Sequence, residues 1–181
     1  MKRNNSGFTL IEVLMVVFIL GIIVVLGSNL FFSIMKGASK AELTKEVKQN
    51  GDYALGMMVR MIRNAKKITV NSDGQTCSLS MQKFKIINQD DTTTELACKS
   101  DITDQVAKIS AGTSPLTGPN VTLTSGGSGC PGTFSFSCVQ PSMLEPANVT
   151  ISFTLYQKGT SGRPEELAQA SFKTTVSLRN Y

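Results

Sequence analysis

Glu12 is a carboxylate in a place where carboxylates are costly. It is the only charged residue from Phe8 to Met35, in the run FTLIEVLMVVFILGIIVVLGSNLFFSIM. About 20 apolar residues suffice for a helix to cross a hydrocarbon core of ~30 Å. An acid at mid-bilayer costs on the order of 2.5–3.5 kcal/mol, so an acid kept there needs a partner. The preceding residues, MKRNNSG, hold Lys2 and Arg3, no acid, and end in Gly7. The apolar run continues without the Ala-x-Ala-like site of a Sec-type signal. A cut between Gly7 and Phe8 would instead release the basic leader and keep the helix. The new amine at Phe8 would stand four residues from Glu12, on the same helix face. With a pKa near ~7.7–8 it would be largely cationic and could offset a buried carboxylate.

The other reactive side chains are four cysteines, Cys77, Cys98, Cys130 and Cys138. An even number in an extracytoplasmic domain implies two disulfides. Neighbours in sequence can close across hairpins, and Pro131-Gly132 is a turn signal between the last two. This leads us to expect Cys77–Cys98 and Cys130–Cys138. The chain has no His. It therefore lacks the commonest general base and the commonest metal ligand. No CxxC pair suggests zinc or redox work, and no Gly-rich phosphate loop lies between a strand and a helix. No catalytic residue, metal site or cofactor is expected.

The residues Gly7-Phe8-Thr9-Leu10-Ile11-Glu12-Val13, behind a short basic leader and ahead of an apolar helix, resemble the N-terminal signal of type IV pilins and type II secretion pseudopilins. The resemblance covers roughly the first third of the chain. It implies cleavage between Gly7 and Phe8 by a prepilin peptidase, N-methylation of Phe8, and polymerisation through the helix. It also implies that Glu12 pairs with the N-terminal amine of a neighbouring subunit. The partners implied are identical or related pilin subunits, the prepilin peptidase/methyltransferase and an inner-membrane assembly platform. The precursor would sit in the cytoplasmic membrane, and the assembled subunit in an extracellular pilus or a pseudopilus. Tyr53 to Ala65 resembles minor pilins more loosely.

A chain of 181 residues leaves room for one globular domain beyond the helix. Loss of Lys2 and Arg3 with the leader lowers the net charge by two, from +5 to +3. That mild excess does not by itself argue for nucleic acid. Lys2 and Arg3 flank one end of the apolar run and Lys36 and Lys40 the other, so charge alone does not orient it. The leader and the cysteines put the C-terminal part outside the cytoplasm.

The helical pattern continues past Met35. Leu43, Val47, Ala54, Leu55, Met58, Ile62 and Ala65 recur at helical spacing, with charged residues between them. A helix from Phe8 to about Lys66 would be ~88 Å long. Its second half would bury one stripe. The pattern then alternates. Strands are expected at Ile68–Val70, around Cys77, Leu79 and Met81, and as a hairpin of Phe84–Ile87 with Thr93–Cys98. Others fall at Val121–Leu123 and at Phe134–Cys138. Val149, Ile151, Phe153 and Leu155 pair with Phe172, Thr174, Val176 and Leu178 in a last hairpin. Asn71–Gly74, Gly112–Pro119, Ser125–Gly129 and Gly159–Pro164 read as turns or loops.

The expected fold is α+β, a long N-terminal helix packed on an antiparallel β-sheet. The expected divisions are a leader at 1–7, a membrane or filament-core helix at 8–35, an amphipathic half at 36–66, and a disulfide-containing β-rich domain at 67–181. Asp90-Asp91 with Glu95, and more weakly Asp101 with Asp104, would suit calcium. The EF-hand spacing is absent, and a solvated turn is the better reading. Lys66, Lys67, Lys83 and Lys85 could face DNA, but aromatic partners are sparse and a solvated face is favoured. The reading is a non-enzymatic filament subunit. The alternatives are a minor secretion pseudopilin and a membrane-anchored binding module that never polymerises.

Overall fold

The computed structural model describes residues 7–69, 77, 80–101, 106–125, 129–140, 145–159 and 167–179. The fold is α+β. Helix α1 spans Leu10–Arg63. The strands that follow are β1 (Lys67–Thr69), β2 (Lys83–Ile87), β3 (Thr93–Asp101), β4 (Val106–Ala111), β5 (Ser114–Pro115), β6 (Val121–Thr122), β7 (Ser135–Val139), β8 (Asn148–Gln157) and β9 (Gln169–Ser177). The chain divides into two compact units, residues 1–39 and 40–181.

In the first unit the side chains from Leu10 to Met35 are exposed all round. A helix burying no face of an apolar surface suits lipid or other helices rather than water. It is long and apolar enough to cross a membrane. Ser28 interrupts the apolar run, and its hydroxyl donates to the Val24 carbonyl at 2.8 Å. That bond satisfies the one strong donor Ser28 carries.

In the second unit α1 buries Val47, Gly51, Ala54, Met58 and Ile62. Their spacing of three and four residues keeps them on one stripe. The helix stops at Arg63, short of the Lys66 expected. Ala65 N–H has tightened onto Ile62 O at 3.2 Å, and Lys66 N–H is already taken by Ile87 O at 2.8 Å. Arg60 and Arg63 in the last turn complement the negative end of the helix dipole.

The strands form two antiparallel sheets. The first has the order β1-β2-β3-β4-β5. Its β2–β3 hairpin closes with Ile87 opposite Thr93, as the sequence pattern suggests. Strand β4 has no counterpart in the sequence reading. Val106, Ala107, Ile109, Ser110 and Ala111 are all buried, so the strand shows no alternation to detect. β5 likewise falls within the expected loop 112–119. In the second sheet β8 is central. β9 pairs along its whole length on one side, and β7 and β6 share the other. Val149, Ile151, Phe153 and Leu155 point inward and their neighbours alternate outward, the period of two a half-buried strand requires.

The sheets join directly. Met81 and Phe136 exchange backbone hydrogen bonds of 2.8 and 2.7 Å, and Leu123 N–H donates to Ala107 O at 2.9 Å. Five phenylalanines run through the shared core. Phe84 on β2 meets Phe136 edge-on at 4.5 Å, Phe136 meets Phe134 at 4.9 Å, and Phe134 lies 6.5 Å from Phe153. Phe153 stacks on Phe172 of β9 at 5.1 Å.

Each disulfide ties one strand residue to a residue outside the strands, Cys138 of β7 in one and Cys98 of β3 in the other. They join Cys77 to Cys138 and Cys98 to Cys130, with Cα–Cα distances of 4.9 and 5.8 Å. This corrects the pairing of sequence neighbours. The Met81–Phe136 bridge lays the chain upstream of β2 beside β7, which brings Cys77 to Cys138. The Pro131 turn exists, with Phe134 N–H on Pro131 O at 3.2 Å. It leads into a straight β7 whose partner is β8, not a returning strand. At ~3.3 Å per residue, Cys138 is carried away from Cys130. The expected features at Asn71–Gly74, Leu79, Asp104, residues 126–128 and residues 160–164 lie outside the described residues.

Two outcomes should follow. Non-reducing peptide mapping should recover Cys77 linked to Cys138 and Cys98 linked to Cys130; a Cys77–Cys98 peptide would contradict the fold. A Cβ on Gly51 would lie 2.0 Å from Cζ of Phe172, whereas nothing lies within 4 Å of one on Gly56. In urea unfolding, Gly56→Ala should stabilise by up to ~1 kcal/mol. Gly51→Ala should destabilise by about 1–3 kcal/mol through overpacking. Adding Phe172→Leu should recover part of that loss, a non-additivity of the kind residues in contact display.

Candidate functional site

The N-terminal segment is built around the start of α1. Gly7, Phe8 and Thr9 precede the helix. Thr9 takes the capping position: its carbonyl accepts from Glu12 N–H at 3.1 Å and Val13 N–H at 3.3 Å. Threonine suits a cap because its side chain can serve the free N–H groups of the first turn. Glu12 falls in that turn, near the positive end of the helix dipole. Thr9-x-x-Glu12 is also the spacing of a capping box, a local signal that the sequence reading passed over.

The helix begins at Leu10, so Phe8 is not on it. The expected i, i+4 helical relation between Phe8 and Glu12 therefore does not hold within one chain. Phe8 is 81% exposed, and a Cβ on Gly7 would have nothing within 4 Å. The peptide bond between them lies in non-helical backbone. The Glu12 side chain is exposed, and no described side chain bonds to its carboxylate. Asn29, beside Ser28, is a further polar group in the apolar run, missed when only charges are counted. Its side chain is exposed in the single chain.

The four cysteines do not gather at this segment. Both pairs are bridged within the 40–181 unit. The acidic turn is also occupied with its own structure. Asp90 Oδ1 accepts from Thr92 Oγ1 at 2.6 Å and from Thr92 N–H at 3.1 Å. Asp91, at φ 61°, turns its carboxylate to Lys66. Asn88 Nδ2 donates to Thr92 Oγ1 and Thr94 Oγ1 at 2.9 and 3.0 Å. Glu95 lies on β3, opposite Lys85. Among the described residues no three His, Cys, Asp or Glu side chains group to hold a metal ion.

Residues 2–28 match a family model described as the prokaryotic N-terminal methylation motif. This is the prepilin-type signal of type IV pilins and pseudopilins. No curated protein and no solved structure matches the chain. The motif supports a type IV pilin-like or pseudopilin subunit, structural rather than enzymatic. With the apolar helix behind it, it fits a membrane-anchored precursor that assembles with other such subunits.

The Asp90 carboxyl is held below the usual aspartate range, chiefly by the Thr92 hydroxyl and then by the Thr92 N–H. A lowered folded-state pKa adds stability that is complete above the unfolded value and is lost as pH falls through the folded one. In an acid titration followed by NMR, the Thr92 amide should shift with a midpoint below that of an ordinary aspartate. Asp90→Asn should abolish that step. A midpoint at the ordinary value would mean that the hydrogen bonds do not persist in solution.

Proposed function

We propose that the chain is a prepilin, a structural subunit of a type IV pilus or related filament. It is cut between Gly7 and Phe8, methylated at Phe8 and polymerised through its N-terminal helix. The observation that carries this reading is the motif match at residues 2–28 leading into an exposed apolar helix. Proteases act on backbone that can extend into their sites, and the bond from Gly7 to Phe8 precedes α1. Gly7 offers no side chain to obstruct a peptidase. Residues 1–7 are then the leader, 8–35 the membrane and filament-core helix, 36–66 its amphipathic continuation, and 67–181 the secreted β-rich domain.

Glu12 has a role that one subunit alone cannot complete. Its carboxylate sits in an apolar helix that the membrane or a helix bundle would surround. An α-amine at Phe8 of a neighbouring copy would be mostly cationic at neutral pH. The pair would form as that neighbour enters, so an incoming subunit in the right register offsets the desolvation cost of both charges. The two disulfides support an oxidising compartment for the second unit.

The first test is the intact mass and N-terminal sequence of the protein from cells with and without prepilin peptidase. With the enzyme, the chain should begin at methylated Phe8. A chain that still begins at Met1 would make a tethered module the better reading. Glu12→Val should be cleaved and inserted normally yet give little filament. Normal filament yield from that variant would remove the proposed pairing while leaving the processing intact.

A further inference from the structure

The second sheet ends in a long free edge. Strand β9 runs for nine residues beside β8 in unbroken register, with no proline and no bulge. The ladder fixes which way its backbone groups point. Gln157 N–H donates to Ala168 O and Leu178 N–H to Ala147 O, so the even-numbered residues of β9 bond to β8. Hydrogen-bonded pairs alternate along an antiparallel ladder. The N–H and C=O groups of Gln169, Ser171, Lys173, Thr175 and Ser177 therefore point away from β8. Among the described residues nothing bonds to them. The side chains of these five are exposed as well. On the core side Ala170, Phe172 and Thr174 are only half-buried, whereas Leu155, Phe153 and Ile151 opposite them on β8 are fully buried. The core is left partly uncovered along this edge.

Long bare edges invite another strand, and proteins blunt them with short strands, proline, bulges or charge. The first sheet follows that rule. Its edge strands are β1, of three residues, and β5, of two, one of them Pro115. The far side of the second sheet is taken up by the first, through the Met81–Phe136 and Leu123–Ala107 bonds. β9 has one charge, Lys173, as its only guard. Among the described strands with a free edge, β9 alone exceeds three residues. The partner strand of matching length that this chain supplies is thus β9 of a second copy. A strand paired antiparallel with itself about a two-fold axis makes a closed, isologous contact.

Charge and pattern select the register. Odd residues must face odd residues for the outward groups to bond. An axis at Lys173 would set that lysine against itself, and like charges directly opposite are destabilising. An axis at Phe172 separates the lysines but leaves Val176 outside the ladder. An axis at Thr174 puts Lys173 opposite Thr175 of the copy and Ser171 opposite Ser177. On the core side it puts half-buried Phe172 opposite Val176, an aromatic and β-branched pair of the kind that stabilises sheets.

We propose that β9 is a docking edge for a second copy of this chain, joined antiparallel about Thr174 so that the two β8–β9 hairpins become one continuous sheet. Only Ser171 to Ser177 of each copy pair in this way. A stable interface takes about 20–30 residues a side, so this contact is weak and answers to local concentration. It does not depend on how the N-terminus is processed.

The test uses the full chain in a non-ionic detergent. Amide hydrogen exchange is followed by NMR from roughly 50 µM to 1 mM, the range of a weak dimer. The Phe172 and Thr174 amides, bonded to β8, should be protected throughout. Those of Lys173 and Thr175 should exchange freely at the low end and gain about tenfold protection at the high end. Lys173→Pro removes an outward N–H and spares the β8 ladder. It should abolish that gain and weaken the dimer about tenfold or more in sedimentation. Lys173→Thr keeps the N–H, removes the charge and should tighten the dimer by about threefold. Freely exchanging Lys173 and Thr175 amides at every concentration would overturn the proposal, even if the chain associates through its apolar helix. So would equal weakening by both variants, which would trace the contact to the lysine charge. Retained protection of Phe172 and Thr174 establishes that Lys173→Pro is folded, and the exchange profile of the parent chain decides the matter without it.

Discussion

The tip of the Phe172 ring meets α1 at Gly51, and this approach sets how closely the second sheet lies on the helix. Any side chain at 51 would hold the two apart. From Phe172 the rings continue through Phe153, Phe134 and Phe136 to Phe84 of the first sheet. Each aromatic contact is worth roughly 0.5–1.5 kcal/mol beyond burial. The contribution is not confined to one element, because the series touches the helix, both sheets and the seam between them. A displaced Phe172 would be felt at Phe153, which is fully buried and has no space to follow it.

The seam is the least local part of the fold. Its backbone bridge joins Met81 to Phe136, and its disulfides close separations of 61 and 32 residues, one nested inside the other. In the chain-entropy account each closure is worth about 4 kcal/mol taken singly. Nesting makes the pair worth less than the sum, because closing either loop already shortens the other. Long-range contacts form slowly, since loop entropy is lost before packing rewards it. Covalent links placed at this seam therefore act where non-covalent contacts are weakest in the unfolded chain. The tie from helix to loop is smaller in scale: Asn50 Oδ1 accepts from Gly118 N–H at 2.9 Å, and Glu46 Oε1 accepts from Asn120 Nδ2 at 2.8 Å. These bonds hold the segment that leads from the first sheet into the second.

What could be read from sequence followed from periodicity. The stripe Val47, Ala54, Met58 and Ile62 repeats with the helix, and Val149 to Leu155 alternates with the strand, so both were visible. Strand β4 was not, because a strand buried on both sides loses its alternation. The cysteine pairing failed for a related reason. Proximity along the chain is a guide only where two strands form a hairpin, and each bridge instead ties a strand to a segment that forms no hairpin with it. Helix α1 starts two residues later than the apolar run because Thr9 caps it, a choice made by hydrogen bonding rather than hydrophobicity. At the N-terminal site the residue types were legible and their mutual placement was not. Glu12 and Phe8 belong to a motif, but the motif does not fix a contact inside one subunit.

Natural sequences agree with their folds at most levels and depart from them where function intrudes. One departure remains after the core, the turns and the disulfides are accounted for: a carboxylate in an apolar helix with no described side chain bonded to it. Under the proposed function an amine on a neighbouring subunit would offset that charge. The pairing would form in a dry setting, where one contact counts heavily and register is strict.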